Sequence, residues 1–245
     1  MNTASRIGLF AIFLGACAAP QNYNHERAHA RALAPLLNLA SGPLFPAPSG
    51  PLSLQGDGGR PLNMFEVLER LSSLTNVTYS SDARITEQLK ATPVALTQSG
   101  KVSGEDAYAW VESLLSQSGF TLAMLQQGKR PLVGVYSTGS RPGSAPPFLV
   151  VDVAQIDECR AHPALLVSMV VSLPHTDVRA LGNSLRTLTQ DNGPSMVTPV
   201  GTTKSVVIGG TGRYVADTVT MLLTVDQRAG EGKALDPNSP PPAGP

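Results

Sequence analysis

One cluster of side chains has residue types that could bind a metal ion, the stretch DECRAH at residues 157–162. Cys159 and His162 are three positions apart and could share a metal ion, with one of the two preceding carboxylates as a third ligand. Apart from the more distant His175, the sequence offers no second cysteine–histidine pair to complete four ligands. We therefore predict no metal site and interpret the cluster as a polar lead-in to a strand beginning at Ala164.

The same cysteine and histidine could form a thiol nucleophile with its general base. The base must lie beside the thiol in three dimensions, and His162 directly precedes Pro163 at the predicted entrance to a strand. This placement gives little support for catalysis, so we predict no catalytic residue and no enzyme. A thiol enzyme that uses Cys159 and His162 is kept as a further alternative.

A second candidate is the glycine cluster GGTG, which follows an apolar strand pattern and precedes a helix pattern. A phosphate-binding P-loop needs a lysine and a serine or threonine after its glycines, and a dinucleotide fingerprint needs a third glycine; neither is present here. The spacing of Gly209 and Gly212 matches the loop of nucleic-acid-binding KH domains, but that loop joins two helices, and Arg213 is the only cation nearby. We predict a structural turn at Gly209, Gly210 and Gly212, without a cofactor.

The composition excludes several functional classes. The 245 residues carry 18 basic and 18 acidic side chains, a net charge of zero, and contain no basic run. This balance gives no support to nucleic-acid binding. We likewise expect no small-molecule substrate. With two cysteines, one of them near the N-terminus, we expect the fold to form without an internal disulfide.

The N-terminus has the pattern of an export signal. Arg6 precedes a short apolar run that ends at Leu14, too short to span a bilayer. LGAC, residues 14–17, resembles the bacterial lipobox, which implies a signal peptide over residues 1–16 and lipidation of Cys17. The alternative is an ordinary signal peptide cleaved near Ala19. We expect a lipid-anchored protein of the bacterial envelope, on the outer membrane and facing the periplasm.

The first apolar block, residues 52–136, alternates between helix and strand patterns. LNMFEVLERLSSLT has apolar residues spaced by three from Leu62 onward, which predicts one face of a helix. NVTYS predicts a short strand, and a second helix is expected between a cap at Ser103 and a stop at Gly119. Trp110 has apolar neighbours on that helix, so we expect it in the core. FTLAML and PLVGVYS predict a hairpin.

The second apolar block, residues 148–226, begins with the strand pattern FLVVDVAQI. ALLVSMVVSL is a continuous apolar run of strand length, which predicts a strand covered on both faces. TDVRALGNSLRTLT predicts a helix capped by Thr176 or Asp177. SMVTPVGTTKSVVIGG predicts two strands joined by a turn, and RYVADTVTMLLTVD predicts a final helix that ends at Asp226.

Segments rich in proline and glycine separate these blocks. We predict a tether at residues 17–51, a Pro/Gly/Ser linker at 137–147 and a disordered tail at 227–245. The fold class predicted for the rest is α+β, with two small mixed domains at 52–136 and 148–226. Each domain should have helices packed on one face of a short sheet.

Both blocks resemble parts of one protein family. The second block, with its apolar strand, the HTD before the helix, the strand KSVVIGG and a helix ending in LLTVD, resembles the periplasmic ring-forming repeat of bacterial secretins. LNMFEVLERLSSLTNVTYSSDARI and VSGEDAYAWVESLLSQSGFTL resemble the short N-terminal domain that secretins share with TonB-dependent transporters. The resemblance covers residues 52–226. It departs from secretins in lacking their long barrel segment, so we expect that this chain alone builds no pore.

The resemblance implies a lipid-tethered periplasmic protein that acts by protein contact. The expected partners are the membrane, through the N-terminal lipid, and either further copies of the chain or a secretin or other secretion-system component. The pathway would be a secretin-type secretion or pilus assembly. An alternative is a signalling or docking module like the N-terminal domain of TonB-dependent transporters.

Overall fold

The computed structural model describes residues 43–56, 60–94, 100–138, 146–181 and 195–234. Its α-helices are α1 (Met64–Thr75), α2 (Ala83–Ala91), α3 (Ala107–Gln117), α4 (Ile156–Ala161) and α5 (Gly212–Ala234), and residues 178–181 are also helical. Its strands are β1 (Leu52–Ser53), β2 (Thr78–Ser80), β3 (Lys101–Val102), β4 (Phe120–Gln126), β5 (Leu132–Ser137), β6 (Leu149–Val151), β7 (Leu166–Ser172), β8 (Met196–Pro199) and β9 (Ser205–Thr211). The first half means residues 50–138, the second half means residues 146–234, and residues 43–49 are described separately.

Helix α1 is delimited by its caps. Asn63 Oδ1 accepts a hydrogen bond from the Glu66 N–H at 2.8 Å, and the Glu66 carboxylate accepts one from the Asn63 N–H at 3.1 Å, which is a capping box. The helix ends at Asn76, which takes a left-handed conformation with φ 58°. Its buried residues are Met64, Val67, Leu68, Leu71 and Thr75. The predicted helix is confirmed, but its buried face follows 3.6-residue rather than three-residue spacing.

The first half contains a three-stranded sheet of order β2-β5-β4 and a separate antiparallel pair, β1 with β3. Strand β2 pairs in parallel with β5, and β4 pairs antiparallel with β5 from Phe120↔Ser137 onward. The predicted hairpin is therefore present. Helices α2 and α3 both pack against α1, and α3 also packs against β4.

The second half is a four-stranded sheet of order β6-β7-β9-β8, in which only the β6–β7 pair is parallel. Helix α5 packs against β7 and β9 and buries Val215, Ala216, Val219 and Leu222. The prediction that β7 is covered on both faces is wrong, because Val170 is 56% exposed. In the described residues, helices cover one face of this sheet and leave the strand's other face partly open.

Two short α-helices in the described part of the chain were not predicted. Helix α2 begins at the N-cap Asp82, whose Oδ1 accepts a hydrogen bond from the Ile85 N–H at 2.7 Å, and it buries only Ile85 and Leu89. Helix α4 occupies the stretch expected to lead into a strand, and it buries only Cys159. Helices this short have one or two inward residues, so their apolar periodicity is too brief to distinguish them from loops.

Two boundary predictions need correction. Helix α5 continues to Ala234, so the first residues of the predicted tail are helical. Gln227 and Glu231, one turn apart, share a side-chain hydrogen bond there. At the other end, residues 43–51 of the predicted tether pack against the fold, and Phe45 is 5% exposed. The predicted signal peptide, the earlier tether and Cys17 lie outside the described residues.

A buried carboxylate joins α5 to the turn before residues 178–181. Asp226 Oδ1 accepts hydrogen bonds from the His175 N–H at 2.9 Å and the Thr176 hydroxyl at 2.8 Å. Burial alone would raise the pKa of Asp226, but these hydrogen bonds outweigh it, so its pKa lies below the ordinary value of 3.8. Asp177 caps the following helical turn by accepting from the Arg179 N–H.

The α+β prediction is confirmed, with small mixed sheets and helices on one face of the larger one. The predicted boundary between the two domains stays a prediction, because residues 139–145 of the linker lie outside the described part of the chain. Within that part, the buried apolar residues of both halves form one continuous core.

Candidate interaction surfaces and the junction between the halves

The two halves are linked first by backbone atoms. The Leu122 N–H in β4 donates to the Ala164 carbonyl at 2.9 Å, and Leu122 forms a parallel bridge with Leu165. We call this region the junction: the contact of α3 and β4 with residues 162–165. Backbone pairing of this kind continues the hydrogen bonding of one sheet into the other half.

The centre of the junction is a buried carboxylate, Glu112, whose exposed fraction is 0%. Its Oε1 lies 2.8 Å from His162 Nδ1, and its Oε2 accepts a hydrogen bond from the Ala164 N–H at 3.1 Å. Glu112 is on α3 in the first half, whereas both partners belong to the second. A single side chain therefore satisfies two polar groups across the junction, as buried polar groups require.

Three aromatic rings pack against one another at the junction. The Phe45 ring lies 4.6 Å from the His162 ring and 5.1 Å from the Tyr108 ring, and the last two are 5.2 Å apart. Burial, with a contribution from the Glu112 charge, raises the pKa of Tyr108 to about 12. The phenol therefore keeps its proton at neutral pH and donates to the Pro46 carbonyl at 2.9 Å.

The residues of the DECRAH cluster do not converge on one point. Asp157 pairs with Arg160 at 2.9 Å, Glu158 accepts from the Leu44 N–H, and His162 faces Glu112. Within the described ranges, no group of three or more His, Cys, Asp or Glu side chains is placed to hold a metal ion.

The thiol of Cys159 is poorly suited to nucleophilic attack. Its exposed fraction is 0%, and burial together with the Glu158 charge raises its pKa to about 11. Nucleophilic attack requires the thiolate, which is scarce at neutral pH for such a thiol. His162 Nδ1 is held by Glu112. The geometry gives no support to the alternative of a thiol enzyme.

The GGTG cluster marks a direct passage from strand to helix. Gly209 and Gly210 are the last glycines of β9, and α5 begins at Gly212. A Cβ atom at Gly212 would lie 2.3 Å from the carbonyl oxygens of both Cys159 and His162. The Gly212 N–H donates to the Leu165 carbonyl at 2.7 Å. At this position the glycine is needed for the close approach of α4 and the junction to the start of α5.

Trp110 is not in the core, contrary to the prediction: it is 48% exposed. The inward face of α3 consists of Ala107, Tyr108, Val111, Glu112 and Leu115. This buried face includes a glutamate. When only the apolar residues are used to predict the buried face of α3, Trp110 is therefore placed on it by mistake. A buried charged residue gives no signal in hydrophobic periodicity, which is why Glu112 was missed.

An apolar surface lies on the uncovered face of the second sheet. Val150 is 71% exposed, Val170 56% and Met196 39%. Across the four strands, the register aligns Val150 with Ser168, and Ser168 with Gly209. Gly209 in turn is aligned with Met196. Val170 is two positions after Ser168 on β7, so its side chain is on the same face of the sheet. We call Val150, Val170 and Met196 the sheet patch.

A second apolar surface lies on the helical side of the same half. Met221 and Val225 on α5 are each 43% exposed and are one helical turn apart. We call these two residues the helix stripe.

Within the described ranges, no helix combines the length and apolarity needed to cross a membrane.

No protein-family model matches the chain, and no curated protein matches it in sequence. Among solved structures, the Klebsiella pneumoniae type II secretion system outer membrane complex (PulD, PulS and PulC HR domain) is similar with a TM-score of 0.51 and 20% identity. That match covers 70% of this chain and 26% of the other chain. The chain thus spans about a quarter of the length of the chain it matches.

Two further structures are similar at lower TM-scores. The N-terminal domain of the secretin XcpQ from Pseudomonas aeruginosa matches at 16% identity with a TM-score of 0.26, covering 73% of this chain and 65% of that one. The GspC–GspD complex of enterotoxigenic Escherichia coli matches at 13% identity with a TM-score of 0.25, covering 69% and 95%. The fold likeness therefore rests on the Klebsiella structure, whose TM-score is 0.51. The chain is similar in fold to secretin N-terminal domains, as its sequence motifs predicted.

Proposed function

We propose that this chain is a non-enzymatic protein of the bacterial envelope that acts by protein contact in a secretin-type secretion or pilus assembly. The fold similarity and the two apolar surfaces of the second half support this proposal. The observation that carries it is the position of these surfaces: the sheet patch is on the uncovered sheet face, and the helix stripe is on the helical layer.

Exposed apolar surfaces on opposite sides of one module favour head-to-tail association. Contiguous apolar patches larger than a few hundred Å² are uncommon on monomeric proteins and mark interaction sites. When two different surfaces of identical copies meet, each copy keeps one surface free for the next, and the series closes into a ring or continues as a filament. We propose that the sheet patch of one copy contacts the helix stripe of another.

Self-association can be tested by light scattering on the full chain with Cys17→Ser, so that a lipid cannot drive clustering. We expect a defined multimer that forms as concentration rises. Val170→Lys in the sheet patch should weaken association by at least about tenfold, because it introduces a charge into an apolar contact. Ser172→Lys is the matched control, since Ser172 is exposed on the same face of β7 but outside the patch.

A mixture of two variants tests the head-to-tail geometry. Val170→Lys removes one surface and Met221→Lys removes the other, so each variant alone should be monomeric. Their mixture should form dimers and nothing larger, because each dimer has only damaged surfaces left. A full chain that is monomeric at every concentration refutes self-association and shifts the proposal to docking on a secretin component. Larger multimers in the mixture contradict the assigned surfaces.

We also propose that the chain is anchored through lipid on Cys17, as its lipobox motif supports. Mass spectrometry of the protein purified from envelopes is expected to find an acylated N-terminal peptide that begins at Cys17. An unmodified N-terminus after Ala19 would contradict the anchor and would indicate an ordinary signal peptide. The Cys17→Ser variant should then show the same membrane fractionation as the unaltered chain.

A further inference from the structure

Residues 43–49, here named the strap, have no regular secondary structure yet contact both halves of the fold. In the second half, the Leu44 N–H donates to Glu158 Oε2 at 3.2 Å. In the first half, the strap's Pro46 carbonyl accepts from the Tyr108 hydroxyl. A segment expected to be a loose tether therefore has specific polar contacts on either side of the junction.

The strap also forms hydrogen bonds with the C-terminal end of α1. Both the backbone N–H and the hydroxyl of Ser49 donate to the Leu74 carbonyl, at 2.9 Å and 3.0 Å. This carbonyl lies in the last turn of the helix, where carbonyl groups have no partner within the helix. Ser49 thus caps the end of α1 and fixes the strap's exit from the junction.

Between these anchors, Phe45 enters the junction. Its side chain is 5% exposed and contacts the rings of Tyr108, from α3, and His162, from the loop after α4. The three rings therefore come from three separate parts of the chain. Aromatic contacts of this kind contribute beyond their buried area.

Phe45 also contacts one member of the polar link between the halves. Phe45 contacts the ring of His162, and Nδ1 of this ring lies beside the Glu112 carboxylate. The same carboxylate accepts a hydrogen bond from the Ala164 N–H. Hydrogen bonds and charge interactions weaken where water reaches them, because water competes for the same groups and raises the local dielectric constant.

We propose that the strap is an intramolecular lock. With Phe45 seated, the two halves form one unit; with the strap released, the junction opens while each half keeps its own sheet. Any event that binds or pulls on the segment before residue 43 would act on the arrangement of the halves through Phe45. This inference is independent of the proposed function, since it concerns contacts within one copy.

Hydrogen exchange on the full chain tests the lock. Phe45→Ala should accelerate exchange of the Leu122 and Ala164 amides, the two that donate across the junction, by about tenfold or more. Amides of the β7–β9 ladder should stay protected, because these pairings lie within one half. Phe148→Ala is the control: this phenylalanine is half-buried beside Gly209 on the uncovered sheet face, and its loss should leave the junction amides unchanged.

A peptide of residues 41–50, SGPLFPAPSG, provides a rescue experiment. Added to the Phe45→Ala chain, it should occupy the emptied place and restore protection of the Ala164 amide. The same peptide with alanine in place of phenylalanine should not. Failure of the first peptide to restore protection, or equal rescue by both, overturns the assignment of Phe45 as the element that locks the junction.

If Phe45→Ala does not fold, Phe45→Leu gives the same information with a smaller loss of apolar volume. We expect junction amides to exchange faster in this variant, with the β7–β9 amides unchanged. The reactivity of Cys159 offers a second measurement in a Cys17→Ser background, where it is the only cysteine. Its labelling should speed up in Phe45→Leu and not in Phe148→Ala. Unchanged exchange and labelling in a folded Phe45 variant refutes the lock.

Discussion

Replacing Glu112 by alanine is expected to reduce the free energy of unfolding by about 2–5 kcal/mol, because two buried hydrogen-bonding groups lose their partner at about 1–3 kcal/mol each. The substitution leaves the Ala164 N–H and the His162 ring without their buried acceptor and creates a cavity in the junction. Urea denaturation monitored by circular dichroism measures the change. The fluorescence of Trp110, two positions away, reports on α3 independently.

Glu112→Gln separates hydrogen bonding from charge. The amide oxygen can still accept from the Ala164 N–H, and the amide nitrogen can donate to a neutral His162 ring, so we expect a smaller loss than for alanine. Glu105→Ala is the matched control, because Glu105 lies just before the same helix and is exposed. A loss below about 1 kcal/mol for Glu112→Ala, as for a surface residue, would contradict a structural role for the carboxylate.

Gly212→Ala is expected to cost at least about 3 kcal/mol, the upper end for overpacked sites. The added Cβ would lie 2.3 Å from two backbone carbonyl oxygens, those of Cys159 and His162. Backbone atoms at the end of α4 cannot turn aside as a flexible side chain can, so the start of α5 must move. Thermal and urea unfolding measure the loss.

Gly232→Ala is the matched control for this substitution. Gly232 is in the same helix, and a Cβ there would meet nothing within 4 Å. Alanine has the higher helix propensity, so this variant should gain about 0.5–1 kcal/mol. If Gly212→Ala were equally neutral or stabilising, the close approach at the start of α5 would not constrain the fold.

The regular elements were predictable wherever the apolar pattern was long. Helices α1 and α5 and the β4–β5 and β8–β9 hairpins follow from periodicity and turn residues over many positions. Helices α2 and α4 were missed because so few of their residues face the core. Strand β7 was assigned two covered faces because its apolar run does not distinguish a buried valine from an exposed one such as Val170.

The junction was not predictable from local patterns. Phe45 lies in a segment rich in proline and glycine, a composition that indicates a loose tether. Glu112 is a charged residue beside Val111, and the hydrophobic pattern treats it as the outer face of α3. Only contacts with residues some fifty positions away along the chain make its burial favourable. Because Glu112 was not predicted to be buried, Trp110 was predicted to be in the core, whereas it is exposed.

By itself, the sequence determined the α+β class, the order of most elements and the likeness to secretin N-terminal domains. These features depend on side-chain types at short spacing, which set local backbone preferences and apolar faces. The tertiary structure alone decided which faces stay exposed, that both halves share one core, and that Glu112, His162 and Phe45 meet. Such contacts join distant parts of the chain, and their stability comes from burial and hydrogen bonding that exist only once the fold has formed.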